Sequence, residues 1–186
     1  MGNGDGGVRI NVGCGSDYRD GFVNIDGNPN LPRVDLVLDL PRESLCGHFG
    51  PGSARGPVRH VLANDFIEHH THWEAIGLLR DFFAILAPGG TIELKLPDFE
   101  YIAGNAKFSM HQKIMMIFGG QDISQGEADT SHRRNFPQYF CHKHAYTKQT
   151  MAEELRQLGF ESIEARQNGT NMIVTARKLL AATAAA

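Results

Sequence analysis

The segment Val8-Arg9-Ile10-Asn11-Val12-Gly13-Cys14-Gly15 constrains this chain more than any other. Apolar residues alternate along Val8 to Val12 and stop at a glycine, the pattern of a strand handing over to a tight loop. Two glycines in a G-x-G spacing let the backbone turn sharply and let another molecule approach with no side chain in the way. Such a turn is, by itself, also often only a turn. A second strand is predicted at Phe22-Val23-Asn24-Ile25, ending on Asp26-Gly27, and a third at Val34 to Leu40, carrying Asp39 near its end. If these strands are parallel, their ends lie side by side, and the bare turn and both carboxylates share one crevice.

Further along, Val58 to Ala63 reads as a fourth strand. Thr71-His72-Trp73-Glu74 has the form of a capping box, predicting a helix whose apolar face is Trp73, Ile76, Leu79, Phe82, Phe83 and Leu86. Pro88-Gly89-Gly90 ends that helix, and Thr91 to Leu96 is a fifth strand. A helical region follows at roughly Tyr101 to Phe118, then a long polar stretch from Gly119 to His144. Another helix is capped by Thr147 or Thr150 and faces inward through Met151, Leu155 and Leu158. Two last strands fall near Phe160 to Arg166 and Met172 to Arg177. Pro41 to Pro57, interrupted repeatedly by Gly and Pro, is expected as a surface excursion. Strands alternating with helices predict an α/β fold, a mostly parallel sheet covered on both faces. We expect one domain over 8–178, with flexible ends at 1–7 and 179–186.

With 41% hydrophobic residues in 186, the chain can bury an ordinary core, and its net charge of -3 exerts no general pull toward nucleic acid or anionic membrane. Cys14, Cys46 and Cys141 are odd in number and form no CxxC pair, which fits a reducing, cytoplasmic setting. No apolar run suits a membrane span, and the polar, Gly-rich beginning does not read as a signal peptide. The partner expected is a small molecule, with neither nucleic acid nor membrane involved.

Asp26 ends its strand where a carboxylate can accept both hydroxyls of a ribose, although Asp26-Gly27-Asn28-Pro29 is good turn sequence in its own right. Asp39 reads equally as an adenine-edge acid and as a turn cap. A dinucleotide dehydrogenase would want a third glycine where Tyr18 stands and an acid about 20 residues on, later than Asp26.

The phrases INVGCGS, VNIDGNP, VDLVLDL, VLANDFIEHH and AILAPGGTIELKLPD, in this order, resemble the class I (Rossmann-like) S-adenosylmethionine-dependent methyltransferase superfamily, in particular its compact bacterial type-11-like members. Ile67-Glu68-His69 is similar to the family's LEH signature, and Leu86 to Gly90 to its LKPGG turn. The resemblance implies a seven-stranded sheet with the last strand antiparallel and S-adenosylmethionine as cofactor. It implies Gly13, Cys14 and Gly15 against the methionine part of the cofactor, Asp26 with Gly27 on the ribose, Asp39 and Leu40 by the adenine, Asn64 and Asp65 near the sulfonium, and His69 facing the transfer region. The chain departs from the family in having Asn11 where an acid is common, and in a short connection where a long helix usually joins the first two strands.

Methyl transfer asks mainly for alignment, since the sulfonium is already activated; a base is needed only when the acceptor must lose a proton. His69 and His132 are the candidates for that base, although a loop histidine is more often simply solvated or hydrogen-bonded. Tyr101, Phe108, Phe118, Phe136, Tyr139 and Phe140 can line an acceptor pocket or belong to the core. Arg133 and Arg134 can recognise an anionic group or face solvent. A metal is not expected, because the spacing of Cys141, His142, His144 and the earlier histidines matches no closed zinc pattern. The expected function is an S-adenosylmethionine-dependent methyltransferase acting on a small O or N acceptor. A non-catalytic module that binds the same cofactor is the second reading, and an NAD-dependent dehydrogenase the third.

Overall fold

The computed structural model of the chain describes residues 7–40, 42–50, 52–119, 135 and 137–180. Seven strands form one sheet: β1 (Val8–Val12), β2 (Val23–Asp26), β3 (Leu36–Val37), β4 (Val58–Asn64), β5 (Leu86–Pro97), β6 (Phe160–Asn168) and β7 (Asn171–Lys178). Their order is β3-β2-β1-β4-β5-β7-β6. The first five are parallel, with Ile10 beside both Val23 and Val61 and Val61 beside Ile92. β7 runs antiparallel to β5 and to β6. This is the expected α/β architecture. β1 and β4 are central, so Ile10, Val12, Val58 and Val61 are buried, as strands covered on both faces require.

β3 is shorter than the Val34 to Leu40 predicted. It lies at the sheet edge, and beyond Leu38 the Asp39 amide donates to the Glu43 carboxylate at 2.9 Å instead of continuing the ladder. The excursion from 41 to 57 is also less superficial than predicted. Its helical turn α1 (Cys46–Phe49) sinks Leu45 and Phe49 into the core, held by Asp81, which accepts from the Ser44 hydroxyl at 2.7 Å and the Leu45 amide at 3.0 Å.

α2 (His72–Ile85) begins at the predicted capping box: the Thr71 side chain accepts from the Glu74 amide, and the Glu74 carboxylate accepts from the Thr71 amide at 2.8 Å. Its buried face is Ala75, Leu78, Leu79, Phe82 and Ile85. Trp73, assigned to that face from sequence, is 83% exposed. At about 100° per residue it projects nearly opposite the midpoint of Leu79 and Phe82, so strict helical spacing already excludes it from the packed face. Pro88-Gly89-Gly90 follows the helix as expected, but within β5, where the pairing register with β4 shifts between Val58 and His60.

The helical region expected from Tyr101 to Phe118 is two helices, α3 (Phe99–Gly104) and α4 (Met110–Phe118). Asp98 caps the first and Ser109, in a capping box with Gln112, starts the second, so the break between them is encoded locally. α5 (Lys148–Gln157) is capped by Thr147 and buries Met151 and Leu155.

Asp98, fully buried, ties this end of the sheet together: it ion-pairs with Lys148, caps α3, and forms a bridge with Tyr146. Removing one partner of a buried pair strands a charge, and since the Lys148 side chain is 34% exposed the effect is discounted. Lys148→Met is expected to lower unfolding free energy by about 2 kcal/mol in a urea titration at neutral pH. A change within experimental scatter would mean that the Tyr101 amide alone suffices for Asp98.

Candidate functional site

The sequence-predicted cofactor residues follow the carboxyl ends of β1, β2, β3 and β4. Gly13 and Gly15 both take positive φ, +64° and +49°. The Cys14 amide donates to the Ile25 carbonyl at 3.1 Å, and the Gly15 amide to Asp26 Oδ2 at 2.8 Å. The other Asp26 oxygen accepts from the Asn28 amide at 2.9 Å. Each carboxylate oxygen therefore retains a lone pair for a further donor. An imaginary Cβ on Gly15 meets nothing within 4 Å, so open space adjoins the turn there; one on Gly13 runs into the Phe66 ring.

Cys14 is buried, and burial first, then the Asp26 charge, pushes its thiol up to about 11. It is a neutral thiol at physiological pH and not a nucleophile. Gly27 lies against the Leu38 carbonyl, and the Leu38 amide donates to the Asp26 carbonyl at 3.1 Å, which brings Asp39 and Leu40 alongside. Asp39 is paired with Arg42 at 2.8 Å on the surface, while Leu40 packs partly against the core. Asn64 ends β4 with its side-chain oxygen buried and unpartnered. Asp65, at φ +48°, pairs with Lys95 at 2.5 Å and accepts from Asn171 at 3.2 Å.

Asn11, the departure from the usual acid, has a structural assignment. It is 1% exposed, and its Nδ2 donates to the Asp17 carbonyl at 2.8 Å and to Asn24 Oδ1 at 3.0 Å. Asn24 in turn donates to the Arg19 and Phe22 carbonyls and to Asp35. This amide network anchors the connection from Gly13 to Phe22, which contains no helix. A carboxylate at position 11 lacks the donors this network needs.

A cleft of about 310 Å³ opens beside the ends of β4 and β5, lined among others by Asp65, Glu68, His69, Met115, Phe140 and His142. His69 lines this cleft together with Asp65. Burial, then the neighbouring His142, pushes His69 down to about 4. The imidazole is neutral at physiological pH. His132, the other candidate base, together with Arg133, Arg134 and Phe136, lies outside the described residues. Of the aromatic residues considered, Phe140 lines the cleft.

Two residues gain a significance here that sequence alone did not reveal. Glu68 is 2% exposed, neither carboxylate oxygen makes a well-formed hydrogen bond, and burial pushes it up to about 8. His142, distant in sequence, stacks edge-on against His69 with ring centres 5.0 Å apart. The LEH-like phrase marked position 68, but only the fold shows that its side chain is buried without a well-formed partner.

No protein-family model matches the sequence, and comparison with curated proteins finds no match. Solved structures do resemble it. A methyltransferase from Archaeoglobus fulgidus described as S-adenosylmethionine-dependent superposes with a TM-score of 0.61 at 13% identity, over 94% of this chain and 87% of that one. An O-methyltransferase family protein from Burkholderia thailandensis gives 0.56 at 13%, over 95% and 52%. Phosphoethanolamine N-methyltransferase 2 from Haemonchus contortus, solved with S-adenosylmethionine, gives 0.53 at 13%, over 96% and 50%. This chain spans about half the length of the latter two. Its fold is the Rossmann-like fold of the S-adenosylmethionine-dependent methyltransferases, with the antiparallel β7 that an all-parallel dinucleotide-binding sheet lacks. Among the described residues no helix is long and apolar enough to cross a membrane.

Proposed function

We propose that this chain is an S-adenosylmethionine-dependent methyltransferase acting on a small-molecule O or N acceptor. One observation carries the reading: the Gly13-Cys14-Gly15 turn is bonded through the Gly15 amide to the carboxylate of Asp26, at the cofactor edge of a methyltransferase-type sheet. Gly13, Cys14 and Gly15 pass the methionine part. Asp26 uses its two remaining lone pairs for the ribose hydroxyls, with Gly27 leaving the approach clear. Asp39 and Leu40 flank the adenine, and Asn64 and Asp65 stand near the sulfonium.

The acceptor then occupies the cleft beside His69. An imidazole held near 4 is a weak proton acceptor but a good hydrogen-bond acceptor at neutral pH, so His69 draws the acceptor's O–H or N–H hydrogen toward itself and leaves the heteroatom lone pair facing the methyl group, the proton passing to solvent after transfer. His132 is retained as a second candidate at the acceptor. The domain expected over 8–178 and a cytoplasmic setting belong to the same reading.

Titration with S-adenosylmethionine tests the cofactor site. Asp26→Ala is expected to weaken binding by about 1.5–3 kcal/mol, the range for hydrogen bonds to a charged group. Unchanged affinity in a folded variant removes Asp26 from the site. A methylation screen over hydroxyl, amine and carboxyl acceptors follows; cofactor binding without turnover on any of them would favour the non-catalytic module.

A further inference from the structure

The most unusual chemistry among the described residues is at the floor of the cleft. The carboxylate of Glu68 and ring nitrogens of His69 and His142 all lie within 4.8 Å of one another. We propose that these three side chains bind one divalent first-row transition-metal ion, with the remaining coordination positions open to the cleft.

Three features converge on that reading. The first is the poorly served carboxylate: Glu68 is buried and neither oxygen makes a well-formed hydrogen bond, the backbone at Glu68 and Phe66 favouring its charge only in part, an arrangement that native proteins rarely leave uncompensated. The second is the tautomer of each histidine. His69 Nδ1 lies 3.3 Å from the Cys141 carbonyl and His142 Nδ1 lies 3.1 Å from the Ile117 carbonyl. A carbonyl only accepts, so in each neutral ring Nδ1 carries the proton and Nε2 keeps its lone pair. A backbone carbonyl fixing one nitrogen while the other faces a metal is the usual outer shell of a histidine ligand. The third is access, since all three residues line the open cleft.

The donor set determines the class of ion. Two imidazoles and one carboxylate suit zinc, cobalt, iron or manganese, whereas magnesium and calcium prefer oxygen alone. Three protein ligands with open positions make a site of the catalytic kind. Bonds of about 2.0–2.1 Å bring ligand atoms to about 3.3 Å from one another, so the side chains close inward by small rotamer changes on loading. Asp65 lies on the same cleft but is already committed to Lys95 and Asn171. Where the proposed methyl transfer holds, a bound ion takes up the His69 lone pair and replaces it in holding the acceptor, as a Lewis acid that would acidify a coordinated hydroxyl; the binding site itself does not depend on that reading.

The test uses the full chain, stripped of metal by a chelator and titrated with zinc, then with cobalt read by its visible absorption. One ion per chain is expected. Glu68→Gln and His142→Ala, each checked for folding by circular dichroism, are expected to weaken zinc binding at least about ten-fold. Cys141→Ser, which keeps the backbone carbonyl, should leave it unchanged. Should the variants not fold, the unaltered chain still decides: zinc must shield His69 and His142 from carbethoxylation, read by mass spectrometry. Absence of stoichiometric binding, full affinity in a folded Glu68→Gln or His142→Ala variant, or unshielded histidines each overturn the site. S-adenosylmethionine is titrated into the same metal-free protein, so loss of the metal proposal and loss of the methyltransferase reading register separately.

Discussion

Gly13→Ala is expected to destabilise the fold by at least about 3 kcal/mol and to abolish measurable cofactor binding. Two costs add. The residue sits at φ +64°, where a side chain costs about 1–2 kcal/mol. The new Cβ would lie 2.2 Å from Cδ2 and 2.8 Å from Cγ of Phe66, so the ring must move. Phe66 is not free to swing away: it packs against the core and contacts the His70 ring edge-on at 4.6 Å, and its carbonyl accepts from His70 at 2.9 Å. Displacing it drags the 3-10 turn Ile67–His69, and with it the floor of the cleft.

Gly15→Ala is the matched control. Its φ of +49° carries the same conformational cost, but its Cβ meets nothing within 4 Å. That variant should stay folded, within about 1–2 kcal/mol of the parent, while losing cofactor affinity because the methyl occupies the space the ligand needs. Chemical denaturation and S-adenosylmethionine titration of both variants separate the two effects. A Gly13→Ala protein as stable as the parent would show that Phe66 does not buttress the turn.

That contrast also marks how far the sequence could be read. A strand running into G-x-G, and Asp26 at the end of the next strand, were legible because each is a local pattern. So were the Thr71-Glu74 box and the alternation of strands and helices. Which of the two glycines is pressed against a ring was not legible, because Phe66 arrives from the far end of β4. The same separation hid the pairing of Glu68 and His69 with His142, which no ligand-spacing rule covers. Asn11 looked like a missing cofactor contact, yet it is the anchor of a connection that lacks its helix. Trp73 does not pack because, at about 100° per residue, it falls on the side of the helix away from Leu79 and Phe82, a phase that an apolar count over the first turn overlooks.

Glu68→Gln is expected to stabilise the metal-free protein, by about 2 kcal/mol at pH 6 and about 4 kcal/mol at pH 8. Burial raises the Glu68 carboxyl from 4.5 to about 8. Between those values the folded state keeps a proton that the unfolded state has released, so stability is fully present below pH 4.5 and is lost as pH rises through 8. Each pH unit in that window removes about 1.4 kcal/mol. His69 acts in the opposite sense at lower pH. Its pKa is depressed to about 4, so its contribution is present above 6.5 and lost on acidification toward 4. Both proteins share that histidine, so their difference isolates position 68. The groups facing Glu68 do not cancel its desolvation: the backbone at Glu68 and Phe66 lowers the carboxyl only in part, Lys95 lowers it but is paired with Asp65, which raises it, and the Tyr146 hydroxyl is itself buried without a partner. Glutamine keeps the shape and removes the ionisation. Urea titrations at several pH values with chelator present should give a difference that grows steadily toward alkaline pH, and a flat difference would mean that Glu68 is solvated in solution. A buried acid that costs this much stability is the kind of residue a protein retains for function rather than for folding.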